Sequence, residues 1–534
     1  MLVKGFIICV VIAACCLIGD AQVDHPWNEF TDLDDYVNRP DSNYAYQRVA
    51  EYRESNSTVY IINMTSQRWM NDNVTSQSIW WHWLYLAIPD NVQYYDSAFL
   101  YIHTGSNRNP NSIPGPTDSR VRQSASFAES MRAPAGYLRQ IPNQPMVFSE
   151  SLDPDQIEVT EDATIAFTWR QWIDDTSTLP EFILRFPMVK ASDEHIVTIT
   201  AFSDQCPATV TNGYTFIMST CHLLSFDNCN RGFEFQAVMR AFDTINGFTK
   251  GLDARYNIEK FVPAGESKRG WTTWLTGCAD RRVVGMVPMV LSVINLRTVL
   301  HKHWRTMGGW TFAFGNYYVE GLTADLDHPR TQLLADQVDP YSYRSRMTMP
   351  KMLVSGASDE FFQIDDPNYF WDGLVGPKFL MNAPNTGHNL AGQRPGIYSN
   401  LASFFINVIE NTAGRTGTIT LTSTTTPINV TAWVARTTNL TEERRDFRLR
   451  IVDFDNIDIM ENPVTWVEEA VEDRGNGIFY KEYSYPDTGY LVFYLNMYYA
   501  SPGGVLQFTT SPQVLPDTFP YPDCVGEGCT GFVM

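Results

Sequence analysis

The chain has 534 residues, 44% of them hydrophobic and 13% aromatic, enough to bury more than one core and too much for a disordered chain. Lys and Arg number 39 against 60 Asp and Glu, a formal charge of −21. That field repels phosphate backbones, which argues against nucleic acid as a partner.

Residues Met1–Ala21 carry one early cation, Lys4, and an apolar run from Phe6 to Ile18. Gly19 and Ala21 stand at the small-residue positions that signal peptidase reads. The run is short for a membrane span, and no later segment approaches about 18 apolar residues. The expectation is a cleaved secretory signal, a mature chain from Gln22, an extracellular protein and no membrane span. Ile12-Ala13-Ala14-Cys15 offers a rival reading as a lipoprotein box. Downstream, Asp34, Asp35 and Asp41 read as a solvated turn, too poor in ordered oxygen ligands for calcium. Asn56, Asn63, Asn73, Asn429 and Asn439 each open an Asn-x-Ser/Thr sequon, as in a glycosylated secreted chain.

Between about residues 75 and 410 short apolar runs alternate with helix-length patterns, which predicts a wound, mostly parallel α/β sheet. Strands are expected at Trp80–Ala87, Ala98–His103, Met146–Ser149, Ile258–Ala264, Val283–Val290, Lys351–Ser355 and Lys378–Asn382. Helices are expected at Arg120–Met131, Ala163–Ile173, Met188–Phe202, Lys268–Cys278 and Ile397–Glu410. Trp80, Trp81 and Trp83 read as strand packing rather than a stacking platform. Two stretches read as insertions, about 204–250 and about 293–345. The second is rich in aromatics and reads equally as a cap over a site and as an ordinary helical layer. His301, His303 and His328 inside it lack a carboxylate at ligand spacing, so no metal is expected.

Three of the nine cysteines precede Gln22, leaving Cys206, Cys221, Cys229, Cys278, Cys524 and Cys529. An even number in a secreted chain reads as disulfides, with Cys524 and Cys529 a local pair. Spacings of 15, 8 and 49 among the first four do not form a paired zinc pattern.

The sharpest local signal is Phe261-Val262-Pro263-Ala264-Gly265-Glu266-Ser267-Lys268-Arg269-Gly270-Trp271. An apolar strand enters a glycine-bracketed turn with Ser267 at its tip and a helix after it. That elbow exposes the hydroxyl and turns a helix N-terminus toward any oxyanion beside it. The G-x-S-x-G pattern wants glycine at 269, where Arg269 stands; Gly270 comes one residue late. A loop serine capping a helix is the plainer reading of the string alone.

The residues that follow tip the balance. Lys351–Ser355 runs into Gly356-Ala357-Ser358-Asp359-Glu360, and Lys378–Asn382 into Asn385-Thr386-Gly387-His388-Asn389. Ser267, Asp359 and His388, at spacings of 92 and 29, follow the order of α/β-hydrolases, each just past an expected strand. The roles would be Ser267 as nucleophile, His388 as base then acid, and Asp359 holding the imidazole, with Glu360 its competitor. The oxyanion donors would be the Lys268 N–H and one from His103-Thr104-Gly105-Ser106-Asn107, with Gly105 and Ser106 the candidates. Lys268 and Arg269 would either bind a substrate carboxylate or pair with Glu266 or another nearby acid. The chemistry needs no cofactor.

The chain resembles the PhoPQ-activated pathogenicity-related protein family, which includes secreted autocrine proliferation repressors. The likeness rests on Leu33–Val37, Trp80–Trp83, Leu138–Pro145, Glu161-Asp162-Ala163, Leu184–Lys190, Gly265–Leu275, Gly308-Gly309-Trp310, Pro340–Lys351 and His388. It implies an α/β-hydrolase-like fold, and in this family Ser-Lys-Arg-Gly is the usual form of the elbow. The cysteine-bearing stretch 204–230 stands outside the likeness.

After about Thr412, short β-prone runs at Gly417–Thr426, Ile428–Arg436, Phe447–Val452, Thr465–Ala470, Tyr490–Met497 and Val505–Thr510 predict a small β-sandwich-like domain. The expected organisation is a signal at 1–21, an α/β-hydrolase-like domain at 22–412 and a β-rich domain at 413–534. The functional expectation is a secreted serine hydrolase acting on an ester or peptide. Its alternative is a secreted signalling protein on a hydrolase scaffold, whose partner is a cell-surface receptor.

Overall fold

The computed structural model describes residues 23–189, 237–410 apart from 308, and most of 416–520. The expected signal at 1–21, Cys206, Cys221, Cys229, Cys524 and Cys529 lie outside the described residues, as does most of the helix expected at Met188–Phe202. The chain divides into two compact units, one built on residues up to 347 with 351–375 and 380–402, the other on 348–350, 376–379 and the chain from 403.

The first unit opens with helix α1 (Asp32–Asn38), capped by Thr31 and Asp34 in a reciprocal box. Asp34 is 7% exposed and takes both Nη atoms of buried Arg346 at 2.7 and 2.8 Å. That corrects its reading as a solvated turn: the cap also neutralises a buried guanidinium. The sheet strands are β1 (Ala45–Arg53), β2 (Ser57–Arg68), β3 (Ile79–Pro89), β4 (Ser97–Ile102), β5 (Ala135–Leu138), β6 (Lys260–Glu266), β7 (Val287–Met289), β8 (Lys351–Gly356) and β9 (Lys378–Ala383). Their order is β1-β2-β3-β5-β4-β6-β7-β8-β9. The run from β5 through β4, β6 and β7 to β8 is parallel. β1, β2, β3 and β5 form antiparallel pairs along the other flank. This is the α/β-hydrolase-like sheet. β4 and β8 are buried along their whole length, as strands covered on both faces must be.

Helices α2 (Ser119–Met131), α3 (Glu161–Asp174), α4 (Arg185–Val189), α5 (Ala237–Leu252) and α6 (Lys268–Ala279) follow the early strands. α7 (Leu296–Met307), α8 (Gly315–Val319), α9 (Pro329–Val338) and α10 (Arg394–Ile409) complete the helices. The described end of the expected 204–250 insertion is α5, and it is core. Val238, Met239, Phe242 and Ile245 are fully buried, and Phe242 stacks on Phe261 of β6 at 4.0 Å. The strand expected at Met146–Ser149 is two isolated bridges, Met146 to Val159 and Thr75 to Phe148. Its apolar residues bury themselves in loop packing, with Phe148 edge-on to Trp69 at 6.3 Å. Cys278 is fully buried within α6 and bonds no other cysteine among the described residues, the other five of the expected mature chain lying outside them; burial pushes its pKa up.

The second unit is antiparallel throughout. One sheet joins β10 (Thr416–Thr422), β16 (Ile478–Ser484) and β15 (Glu472–Asp473). Another joins β14 (Val467–Ala470), β11 (Asn429–Arg436), β17 (Leu491–Ser501) and β18 (Gly504–Thr509), with β19 (Gln513–Leu515) on β17. β12 (Arg450–Asp453) and β13 (Asp458–Glu461) form a separate hairpin. Alternate residues Leu491, Phe493 and Leu495 of β17 pack with Ala432 and Val434 of β11 and with Ile419 of β10. Two sheets therefore share one core through their inward positions, the packing of a sandwich.

Candidate active site

Strand β6 delivers Ser267 on a backbone of φ 57° and ψ −123°, a conformation costly for any side-chain-bearing residue. The turn holds because its neighbours are small. A Cβ on Gly265 would meet the Arg269 carbonyl oxygen at 2.6 Å, and one on Gly270 would meet the Met289 oxygen at 2.8 Å. Gly270 thus provides the close approach usually assigned to the fifth position of the elbow, leaving position 269 free for a long side chain. Ser267 N–H donates to the Met289 carbonyl at 2.8 Å, tying the turn to β7. Lys268 opens α6, so its N–H has no partner within the helix.

Two further loops meet the elbow. After β8, Asp359 turns its side chain inward to 1% exposure, and its Oδ1 accepts the N–H groups of Phe361 and Phe362 at 2.8 and 3.1 Å. After β9, His388 N–H donates to Glu360 Oε2 at 2.8 Å. The loops are stitched by Ala357 N–H to Ala383 O at 2.9 Å and Ser358 N–H to Thr386 O at 3.0 Å. His388 Nδ1 lies 3.0 and 2.9 Å from the two Asp359 oxygens, and Nε2 lies 2.8 Å from Ser267 Oγ. A carboxylate only accepts, so Nδ1 carries the proton and Nε2 is left as a base toward the hydroxyl. Phe361 packs on the imidazole with centroids 4.4 Å apart. The three residues singled out by chain order are therefore joined in series, Ser267 to His388 and His388 to Asp359, and Glu360 serves the His388 backbone instead of its ring.

The charges beside the serine have defined partners. Lys268 Nζ donates to Asp162 Oδ2 at 2.6 Å, and Arg269 Nη2 to Glu161 Oε1 at 2.5 Å. The acids are those opening α3; Glu266 instead takes both Nη atoms of Arg394 at 2.5 and 2.7 Å and the Tyr101 hydroxyl. Arg394 also donates to the Asn389 carbonyl at 2.9 Å, so it braces the His388 loop against the end of β6. Burial alone would raise the Glu161 pKa, but Arg269, Lys268 and the Thr104 hydroxyl hold it down at about 2.

The loop after β4 is fixed to the same acid. Thr104 Oγ1 donates to Glu161 Oε1 at 2.6 Å, and Gln144 Nε2 donates to Glu161 Oε1 at 2.8 Å and to the Gly105 carbonyl at 3.1 Å. The Ser106 carbonyl accepts from Gln140 Nε2 at 3.3 Å. His103 in this loop is drawn down to about 4 by burial and is neutral at pH 7.

Ser267 opens into a cavity that is partly continuous with solvent. Trp169, Trp271, Trp310, Phe314 and Phe361 supply much of its wall, together with leucines of 291–334. The aromatic-rich segment therefore lines the serine's cavity. His303 stacks on Trp310 at 5.8 Å, His301 Nε2 meets Asp327 at 2.9 Å, and His328 caps α9. Among the described residues no group of His, Cys, Asp and Glu could hold a metal ion. Of the sequons, Asn56, Asn73, Asn429 and Asn439 are exposed and Asn63 is half-buried. Sequence reasoning passed over Arg185, Tyr317, Arg394 and the part played by Glu161 and Asp162. The visible signal was two adjacent cations after the serine and two adjacent acids before an amphipathic helix.

Solved structures similar to the chain include acetyl xylan esterase 1 from Thermoanaerobacterium sp., at 11% identity and a TM-score of 0.41 over 72% of this chain and 95% of that one. An S-formylglutathione hydrolase from Agrobacterium tumefaciens is 9% identical, with a TM-score of 0.36 over 69% and 99%. Among curated sequences, Autocrine proliferation repressor protein A of Dictyostelium discoideum is 31% identical over 530 residues, 94% of each chain. Residues 33–219 and 233–448 match the PhoPQ-activated pathogenicity-related protein family, and the chain belongs to that family.

Proposed function

We propose that this chain is a secreted serine hydrolase that cleaves an ester or peptide bond through an acyl-enzyme. The observation that carries the reading is the continuous hydrogen-bond chain from Ser267 Oγ through His388 to Asp359. Ser267 Oγ attacks the acyl carbon as its proton passes to His388 Nε2, and the carbonyl electron pair moves onto oxygen. The Lys268 N–H and an N–H of the Gly105-Ser106 turn receive that oxyanion. Collapse expels the leaving group, which takes the proton from Nε2. Water then repeats the sequence and frees the serine. Asp359 holds the ring and stabilises its charged form. Secretion is supported by the Met1–Ala21 pattern and by the four exposed sequons.

The test is labelling with a fluorophosphonate probe and mapping of the modified peptide. Modification at Ser267, abolished in Ser267→Ala and in His388→Ala, is expected; folded protein that stays unlabelled would sink the reading. A second reading, a secreted growth-repressing signal with a cell-surface receptor as partner, is favoured by the likeness to the proliferation repressor. It expects Ser267→Ala to keep full activity in a growth assay, whereas loss of repression there would tie the signal to the chemistry.

A further inference from the structure

Resting on the hydrolase reading, we propose that the substrate of this site carries a carboxylate on an apolar, partly aromatic arm, and that Arg185 receives it. Arg185, at the start of α4, is 1% exposed and lines the same cavity as Ser267. Its guanidinium lies over the Trp271 ring at 4.1 Å. Nη1 donates to the Lys268 carbonyl at 3.2 Å and lies 3.9 Å from Met188 Sδ, while the buried Nε has no partner. The cation therefore sits against the residue that follows the nucleophile, with part of its hydrogen-bonding capacity unspent.

The charges around it leave it uncompensated. Asp162 is committed to Lys268 at 2.6 Å and to the Tyr317 hydroxyl at 3.0 Å, and Glu161 to Arg269 at 2.5 Å. Three cations thus face two carboxylates, and Arg185 makes no ion pair among the described residues. A buried guanidinium without a counter-ion is costly, so its retention inside a cavity calls for an anion that arrives with the ligand. The Nε side of the fork suits a planar carboxylate, which takes two parallel N–H bonds. Asp162, Lys268, Tyr317, Thr323 and Thr331 also line the cavity. Much of the remaining wall, including Trp169, Leu296, Trp310 and Phe314, is apolar and suits an apolar arm.

The test compares p-nitrophenyl hydrogen glutarate with its neutral methyl ester, p-nitrophenyl methyl glutarate. The wild-type protein is expected to favour the free carboxylate by about tenfold or more in kcat/KM, because a site built for a charged group rejects its capped analogue. In Arg185→Met that ratio falls to about one, and in Arg185→Lys part of it returns. Equal rates in the wild type, or a preference that survives Arg185→Met, overturns the assignment. A loss that affects both esters equally would make Arg185 only a prop for the Lys268 carbonyl. A second readout separates this proposal from the chemistry. Calorimetry on Ser267→Ala is expected to detect 3-phenylpropionate and not 3-phenylpropanamide, with the acid lost on adding Arg185→Met. If neither ester is cleaved and Ser267 stays unlabelled, the hydrolase reading fails. The calorimetric pair still decides the carboxylate site: equal binding, or none, overturns it.

Discussion

His388 meets two adjacent carboxylates on different atoms. Asp359 takes the ring N–H with both oxygens in reach, whereas Glu360 accepts only the backbone N–H at 2.8 Å. The first contact fixes which ring nitrogen is the base; the second fixes where the loop lies. Asp359→Asn presents an amide that can donate to Nδ1 and reverse the tautomer, so kcat should fall by about 10³–10⁴. Glu360→Gln keeps an acceptor for the backbone and should cost less than about tenfold. Hydrolysis rates of the two variants check the assignment, and comparable losses would sink it. The distinction was half legible in the sequence, where Asp359 stands nearer the strand end than Glu360. The Asp162 and Glu161 partners of Lys268 and Arg269 were not legible. They lie more than 100 residues away, and spacing carries no information about which loops a sheet brings together.

The elbow shows how an element tolerates a departure from its usual pattern. Arg269 leaves the turn sideways, donates to the Ile141 carbonyl at 2.6 Å through Nε, and pairs with Glu161. Glu161 in turn accepts from Thr104 and Gln144, so one carboxylate ties α6, α3 and the loop after β4 together. Arg269→Gly restores the ordinary pattern but strips this carboxylate of its nearest cation. The expected loss is about 2–3 kcal/mol, below the ~3–5 for a fully buried pair because Glu161 keeps 29% side-chain exposure. The pH dependence has a definite sign. Glu161 is held at about 2, below its ordinary 4.5, so its contribution is complete above about pH 4.5 and lost as pH falls toward 2. The gap in thermal midpoint between wild type and Arg269→Gly should be widest near neutrality and narrow below pH 4. A gap that stays constant from pH 7 to 3 would mean the ion pair is not its source. The helix α6 itself was plain from sequence, since strand, turn and apolar periodicity agree there. α5, at the described end of the stretch expected as an insertion, has a legible helical spacing in Val238, Phe242 and Ile245, and those three residues are fully buried.

At the scale of the molecule, the two textures of the sequence correspond to two different ways of burying apolar surface. Continuous apolar runs such as Ala98–Ile102 became strands buried along their whole length in the wound sheet, and the run Leu491–Leu495 became a strand whose alternate residues Leu491, Phe493 and Leu495 enter the core between two antiparallel sheets while Val492 packs with Ala435 and Val464. The parallel centre of the sheet was legible for this reason; the flanking hairpin β1–β2 was not, because its outer strand is largely exposed and lacks a clear apolar run. Phe493 offers a test of the second unit. It is fully buried at the centre of the inward row and lies 4.7 Å from the Tyr483 ring of the facing sheet. Phe493→Ala removes an aromatic ring from a packed core, which costs about 3–5 kcal/mol. Among the described residues, Met289, Trp271 and His388, which bond to Ser267, belong to the first unit, and the elbow has its own glycine contacts and its own ion pairs. Chemical denaturation followed by Tyr and Trp fluorescence should therefore show part of the signal lost at lower denaturant in Phe493→Ala. Fluorophosphonate labelling of Ser267 in the absence of denaturant should proceed at the wild-type rate. A variant that loses labelling along with its sandwich would show that the serine's geometry depends on the second core, and the elbow could then no longer be treated as held by its local contacts alone.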